Sequence, residues 1–357
     1  MAVIVILGAG MMGTALAWPF LDRGHVVRLV GTHLDDEIVA SLRARRLHPK
    51  LHLDVPEGIE PYAVDELPRA LEGADAVALG VSSAGVRWAG ERLAPLLRPG
   101  TPVAMVSKGL EWDGSELRVL PEVFASELPE ALRSTIDPVG IAGPCIAGEL
   151  ARRVPTTVVF TARTAEAPRA WAALAAGQYY HVFPSDDVIG VEACAALKNA
   201  YAMGIALATG MHAATGGTAG SIGFHNLEAA LFAQSVFEMR ALLRVLGGNP
   251  ETASGLAGLG DLDVTCNGGR TGRFGHLLGL GLGPDEAVRR MQGATLECLE
   301  ILRTLRAALA GYAASGRLPA GALPLAEHLA RVALDGAPVF PPLERFFDPA
   351  LTASLAR

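Results

Sequence analysis

The sequence predicts an α/β domain built on a doubly wound parallel sheet, followed by an all-α domain. Short Val- and Ile-rich runs alternate with amphipathic stretches through the first half of the chain. A cluster of glycines closes the first of these runs and opens a helical pattern. Past residue 187 no clear strand pattern survives, and long Ala/Leu-rich segments take over. Strands separated by helices describe a parallel sheet covered on both faces.

Along the chain, strands are expected at 3–7 (VIVIL), 26–30 (VVRLV), 76–81 (AVALGV), 102–106 (PVAMV), 138–143 (PVGIAG) and 156–160 (TTVVF). Apolar residues at i, i+3 and i+4 place helices at 11–23, 84–97 and 165–176. After "YYHVFPSDD" (179–187) come helical segments at 189–211, 224–246, 284–312 and 323–334. Pro184, Ser185 and Asp186 offer a stop and then an N-cap. The boundary is therefore put between two domains, 1–186 and 187–357.

A chain of 357 residues suits two domains, and its hydrophobic half can bury a large core. The net charge of −7 argues against nucleic acid as a partner. The one basic run, "LRARRLHPK" (42–50), has no interleaved aromatics and reads as a solvated helix face. Cys145, Cys194, Cys266 and Cys298 lack C-x-x-C spacing. That argues against a zinc ribbon or a disulfide framework and suits a reducing, cytoplasmic setting; no metal site is expected. "MAVIVIL" is too short for a signal-peptide core. The apolar stretch 193–211 is long enough to test as a membrane span. Lys198 would cost roughly 2.5–3.5 kcal/mol at the centre of one, and no basic cluster flanks it, so a span is rejected.

"GAGMMG" places Gly8, Gly10 and Gly13 between the first strand and the first helix. The first glycine permits a tight turn, the second lets the backbone approach a pyrophosphate, and the third lets helix and strand pack closely. At the head of a β/α series this reads as a Rossmann-type dinucleotide site, with the phosphates at the helix start. The acid that would hold an adenosine 2′-hydroxyl is missing: the second strand ends in Gly31, Thr32 and His33, and Asp35 and Asp36 arrive late. Arg43, Arg45 or Arg46 could reach a 2′-phosphate, so the choice between NAD and NADP stays open.

Three further places carry chemistry. Lys108 directly follows the 102–106 strand, at the carboxyl end where such sheets bind ligands; a solvated loop lysine is the alternative. "GLAGLGDLDVTCNGGRTGRFG" (255–275) is rich in glycine yet carries Asp261, Thr265, Arg270 and Arg273. Glycine lets backbone come close to a ligand, and a guanidinium fork matches a phosphate; a flexible loop is the alternative. Lys198 and Glu192 are the only charges in "VEACAALKNAYAMGIALATGM" (191–211). Such a lysine is either a reactive amine or one whose head snorkels to water.

These segments together resemble the NAD(P)-dependent glycerol-3-phosphate dehydrogenases. The resemblance runs through "GAGMMGTALA" (8–17), "VSKGLE" (106–111), "AGPCIAGEL" (142–150), "ALKNAYAMGIA" (196–206), "GLAGLGDLDVTC" (255–266), "GGRTGRFG" (268–275), "MQGATLE" (291–297) and "LPLAEHLARVALDGAPV" (323–339). It implies hydride transfer between nicotinamide and C2 of dihydroxyacetone phosphate, a small phosphorylated substrate, supplying glycerol 3-phosphate for phospholipid synthesis. It also implies a homodimer. By this resemblance Lys198 is the general acid/base on the C2 oxygen, and an amine in apolar surroundings is tuned toward proton exchange near neutrality. Asp261 would position that amine, and Asn199 and Thr265 would bond substrate or orient it. Lys108 would face substrate and nicotinamide. Gly269, Arg270 and Thr271 would hold the phosphate, with Gly143 and Cys145 at the substrate. Gly8, Gly10, Met11, Met12, Gly13, Thr32, His33, Lys108, Ala147, Arg270 and Gln292 would line the cofactor.

The chain departs from the family where Arg-Asn becomes Arg270-Thr271 and where serine after "GP" becomes Cys145. Val-Pro-Ser becomes Val81-Ser82-Ser83, and His225 and Glu228 replace an aspartate and a lysine. These changes leave open a relative acting on another phosphorylated or acidic ketone. A dinucleotide sensor on the same fold would not need Lys198, Asp261 and Arg270. A 6-phosphogluconate- or hydroxyacid-type dehydrogenase shares the two-domain plan but is disfavoured by "GLAGLGDL" and "GGR".

Overall fold

The computed structural model describes residues 1–218, 221 and 223–349. By compactness the chain forms two units, one of residues 1–108 and 119–188, the other of 109–118 and 189–357.

The first unit holds an eight-stranded sheet. Its strands are β1 (Val3–Leu7), β2 (Val26–Val30), β5 (Ile59–Tyr62), β6 (Ala76–Leu79), β7 (Val103–Met105), β10 (Val139–Ala142), β11 (Thr156–Thr161) and β12 (Tyr180–Ser185). The short pairs β3 (Leu47–His48)/β4 (Leu53–Asp54) and β8 (Leu110–Trp112)/β9 (Leu117–Val119) stand apart from it. The spatial order is β12-β11-β10-β7-β6-β1-β2-β5. Alternate residues face opposite cores, as the two-residue repeat of a strand requires. Ile4 and Ile6 enter one core with Ala76, Ala78 and Phe160. Val5 and Leu7 enter the other with Val77, Leu79 and Met105.

The helices of this unit are α1 (Met11–Ala15), α2 (Ala17–Asp22), α3 (Asp36–Arg45), α4 (Leu67–Leu71), α5 (Val86–Leu93), α6 (Leu120–Ser126), α7 (Glu130–Arg133), α8 (Ala147–Leu150) and α9 (Glu166–Ala175). The helix expected over 11–23 is broken at Leu16. Pro19 has no N–H to offer the Ala15 carbonyl and its ring crowds that group.

The sheet is not wholly parallel, because β10 and β11 pair antiparallel. Residues 143–155 between them contain only the single turn of α8, and a parallel crossover normally needs a full helix. Two strands outside the sequence reading, β5 and β12, form the two edges. Each carries a proline, Pro61 and Pro184, tolerated at an edge because no ladder hydrogen bond is lost there. Pro184 therefore lies within β12, paired beside Phe160, and does not stop it.

The second unit is helical: α10 (Val188–Ala214, from Ile189 on), α11 (His225–Leu246), α12 (Asp261–Cys266), α13 (Gly269–Gly279), α14 (Pro284–Arg290), α15 (Glu297–Ala314) and α16 (Pro324–Asp335). α10 is long and apolar enough to cross a membrane, yet 89% of its most apolar window is buried inside the protein. The glycine-rich segment 255–275 is mostly helix, with π-type turns at Leu256–Gly260 leading into α12. Its glycines admit other backbone: a Cβ on Gly275 would collide with the Met203 carbonyl of α10. The helix expected over 284–312 is interrupted, because Gln292 and Gly293 are left-handed at φ 53° and 75°.

The β8–β9 pair docks on α15. Trp112 meets Tyr312 edge-on at 5.3 Å, the Leu117 amide donates to the Tyr312 hydroxyl at 3.0 Å, and Glu116 pairs with Arg317.

Candidate active site

In the first unit, β1 runs into a turn beside β6. Gly8 takes φ +113°, and a Cβ there would lie 2.6 Å from the Gly80 carbonyl carbon. A Cβ on Gly13 would strike the Gly8 carbonyl oxygen. Gly10 differs. It is extended at φ −63°, ψ 174°, and the nearest atom to its Cβ would be the Gly80 oxygen, 4.0 Å away. The fold needs two of these glycines for its own packing, while open space lies in front of the third. The turn sits at the carboxyl end of β1, where the strand order reverses between β2 and β6 and open α/β sheets bind ligands. Met11 beside it is exposed, and Met12 packs toward the core.

At the end of β2, buried Asp35 accepts from the Thr32 amide and hydroxyl, both at 2.9 Å, and from the Ala9 amide at 3.2 Å. That carboxylate is committed to backbone and neighbour. His33 is exposed and meets Trp88 edge-on. Arg43, Arg45 and Arg46 have partners other than a 2′-phosphate. Arg43 bonds Glu66 and the Pro61 carbonyl, Arg45 bonds Ser41, and Arg46 donates to the Val55 and Pro56 carbonyls. The 42–50 run is thus no uniform solvated helix face. It leaves α3 at Arg46, in the left-handed region, and ends in β3 with His48 fully buried.

Elsewhere in this unit the Lys108 ammonium lies 3.5 Å from the Gly143 carbonyl. Gly143 follows β10 at φ +110°, and half-buried Cys145 leads toward α8, which Ala147 opens.

In the second unit, Lys198 stands on α10 and is 9% exposed. Its ammonium pairs directly with the carboxylate of Asp261, which is fully buried at the start of α12. Thr265 donates to the Asp261 carbonyl at 2.6 Å, one helical turn back. Its only hydroxyl proton is used there, so toward another group it can accept but not donate. Asn199 donates to Glu297 at 2.9 Å, tying α10 to the start of α15. Glu297 was not singled out by sequence reasoning; its one signal is its place at the end of "MQGATLE".

Gly269 and Arg270 are exposed at the start of α13, while Thr271 behind them is buried. Arg270 acts electrostatically on the Cys298 thiol at the start of α15. Burial pushes the Cys298 and Cys266 thiols up to about 12, so neither is a thiolate nucleophile near neutrality. Gln292 is exposed in the break between α14 and α15. Among the described residues no group of three or more potential ligands could hold a metal ion.

The class these features define is the two-domain, nicotinamide-dependent dehydrogenases. Comparison with known proteins narrows it: the chain belongs to the NAD-dependent glycerol-3-phosphate dehydrogenase family. Residues 3–167 match the family's N-terminus and 187–340 its C-terminus. It is 38% identical over 303 residues to the NADP(+)-dependent glycerol-3-phosphate dehydrogenase of Archaeoglobus fulgidus, covering 85% of this chain and 87% of that one. A glycerol-3-phosphate dehydrogenase [NAD(P)+] of Coxiella burnetii is 38% identical over 288 residues, covering 80% of each. The crystal structure of the Coxiella burnetii enzyme superposes with a TM-score of 0.79 at 30% identity, covering 100% of this chain and 99% of that one.

Proposed function

We propose that this chain is an NAD(P)-dependent oxidoreductase that interconverts dihydroxyacetone phosphate and sn-glycerol 3-phosphate. The observation that carries the reading is the Lys198–Asp261 pair, an amine and a carboxylate both withdrawn from water. A nicotinamide dinucleotide, when bound, supplies the hydride. Ketone reduction also consumes a proton at the C2 oxygen, and Lys198 is the donor we assign, held in place by Asp261 and returning as base in the reverse direction. Asn199, steadied by Glu297, is assigned to the same oxygen. Arg270 with Gly269 is assigned to the phosphate, because an exposed guanidinium can present two parallel donors. Lys108 adds a second positive charge toward substrate. Gly8, Gly10 and Gly13 would hold the diphosphate, with Thr32 and His33 toward the adenosine.

Initial rates with dihydroxyacetone phosphate, measured with NADH and NADPH in parallel, test this reading. Faster turnover of another phosphorylated or acidic ketone would replace it with the second reading, which buried Thr271 and half-buried Cys145 favour because both depart from the family at positions assigned to substrate. We further infer a cytoplasmic homodimer without a membrane span, supplying glycerol 3-phosphate for phospholipid synthesis. Long apolar helices and the habit of the family support the dimer. A sedimentation mass equal to one chain at micromolar concentration would remove it.

A further inference from the structure

We propose that His48, Thr14 and Asp35 are positioning residues that lock the Ala9 peptide groups and so preset the glycine turn for the dinucleotide. The proposal rests on the reading of that turn as the diphosphate site. Ala9 lies between Gly8 and Gly10, and side chains hold both its polar groups. Its amide donates to Asp35 at 3.2 Å. Its carbonyl lies 3.1 Å from the Thr14 hydroxyl and 3.0 Å from His48 Nε2.

The tautomer of His48 follows from its other contacts. Nδ1 faces the amides of Lys50 and Leu51 at 3.2 and 3.1 Å, and amides only donate, so Nδ1 is the acceptor. Nε2 then carries the proton and donates to Ala9. A doubly protonated ring would turn an N–H against both amides, and full burial disfavours that form as well, pushing the imidazole below its usual range. The neutral ring thus acts as a fixed relay from the β3–β4 pair to the turn.

Asp35 completes the lock from the other side, since the oxygen that takes the Ala9 amide also takes the Thr32 amide and hydroxyl. Two consequences follow. The acid near the end of β2 holds the turn, so it is not left to select between NAD and NADP. With the Ala9 amide committed, the donors that remain for a diphosphate are those of Gly10 and the first turn of α1, and they keep their direction only while Ala9 cannot rotate. A site held in its bound shape pays less ordering cost when the ligand arrives.

Two substitutions at His48 separate positioning from simple stability. His48→Gln keeps a donor long enough to reach the Ala9 carbonyl but gives up the acceptor for Lys50 and Leu51. His48→Asn does the reverse. Dissociation constants for NADH and NADPH are read by fluorescence titration, and melting temperature is read without cofactor. His48→Asn should raise both constants by the same factor, roughly three- to ten-fold, the worth of one neutral hydrogen bond. His48→Gln should bind more tightly than His48→Asn even where it melts lower. Thr14→Val removes another donor from the same carbonyl at nearly constant volume, and should weaken both cofactors roughly three-fold if neither His48 variant folds. Unchanged affinity in His48→Asn or Thr14→Val overturns the proposal, as does affinity that merely follows melting temperature across the set. Gly10→Val is the control. If it too leaves binding intact, the turn is not the diphosphate site; if it abolishes binding while His48→Asn does not, the lock alone is wrong.

Discussion

Gly10 and Gly13, three residues apart at the start of α1, should fail in opposite ways. Gly10 is extended at φ −63°, ψ 174°, a conformation open to valine, and a Cβ there is 4.0 Å from its nearest neighbour. Gly10→Val should therefore fold with stability within about 1 kcal/mol of the parent, gaining slightly from a less flexible unfolded chain. A Cβ on Gly13 runs into the Gly8 carbonyl oxygen, a backbone atom that cannot swing aside. Gly13→Ala should cost at least the roughly 1–3 kcal/mol typical of overpacking, which lowers the melting temperature by several degrees in a domain of this size.

Cofactor reverses the ranking. Valine at residue 10 fills the space in front of the turn, and losing one charge-assisted hydrogen bond to phosphate, about 1.5–3 kcal/mol, weakens binding roughly ten- to hundred-fold. Cofactor at a hundred times its dissociation constant stabilises the parent by about 2.7 kcal/mol. A hundred-fold weaker site at that concentration retains only about 0.4 kcal/mol. The assay is thermal melting of parent and both variants, with and without NADPH, beside a fluorescence titration. Parent-like cofactor binding by Gly10→Val would refute the assignment of the turn. Equal destabilisation of the two apo variants would refute the packing argument.

Lys198→Ala should lower turnover by about 10²–10⁴ and, by stranding a buried carboxylate, cost about 3–5 kcal/mol of stability; replacing the pair by Lys198→Met with Asp261→Leu should restore melting but not rates. Arg270→Lys should raise the substrate KM roughly ten- to hundred-fold, because lysine keeps the charge but loses the planar fork, and an unchanged KM would remove Arg270 from the phosphate. Thr271→Asn, at a buried position, tests the second functional reading: stronger dihydroxyacetone phosphate binding supports that substrate, and no gain beside faster reduction of another ketone rejects it. Glu238 is fully buried on α11, and burial pushes its carboxyl up to about 7 against four donors, Gln234, Tyr201 and the Leu325 and Ala326 amides. The folded chain keeps this proton where the unfolded chain has lost it, so its stabilising effect is full below pH 4.5 and fades as pH rises through 7. The stability difference between parent and Glu238→Gln, followed by urea melts from pH 5 to 8, should move against the parent as pH rises; a flat difference would sink the argument.

The burial of Lys198 was legible because a charge inside a long apolar run has few explanations, and the tight packing of the glycines after the first strand because their spacing matches a backbone requirement. The edge strands β5 and β12 were not, since Pro61 and Pro184 look like terminators unless the strand is known to lie at an edge. The break at Gln292 was hidden for the opposite reason: helical spacing on either side masks two left-handed residues in the middle. Composition leaves segment 255–275 open between backbone that approaches a ligand and a flexible loop, yet Gly258 and Gly275 within it pack directly on other backbone. Gly275 and Gly279 of α13 both press on carbonyls of α10, at Met203 and Leu207, and that close approach joins the helix bearing Lys198 to the one that carries Arg270 in its first turn.

The buried polar partners were the least legible, and the reason is physical. His48, Asp35 and Glu238, all buried, and half-buried Glu297 each satisfy groups distant in sequence or on the backbone, which leave no spacing rule to read. An ionisable side chain in the core persists only when donors and acceptors meet it there. Among such groups, Lys198 pairs directly with a carboxylate, Asp261, across two helices, α10 and α12. Glu238 and Asp35 are held instead by backbone amides together with neutral side chains, Gln234 and Tyr201 for the one and the Thr32 hydroxyl for the other. Lys198 faces a charged side chain that balances its own charge, the arrangement that the proposed proton transfer to a ketone oxygen calls for.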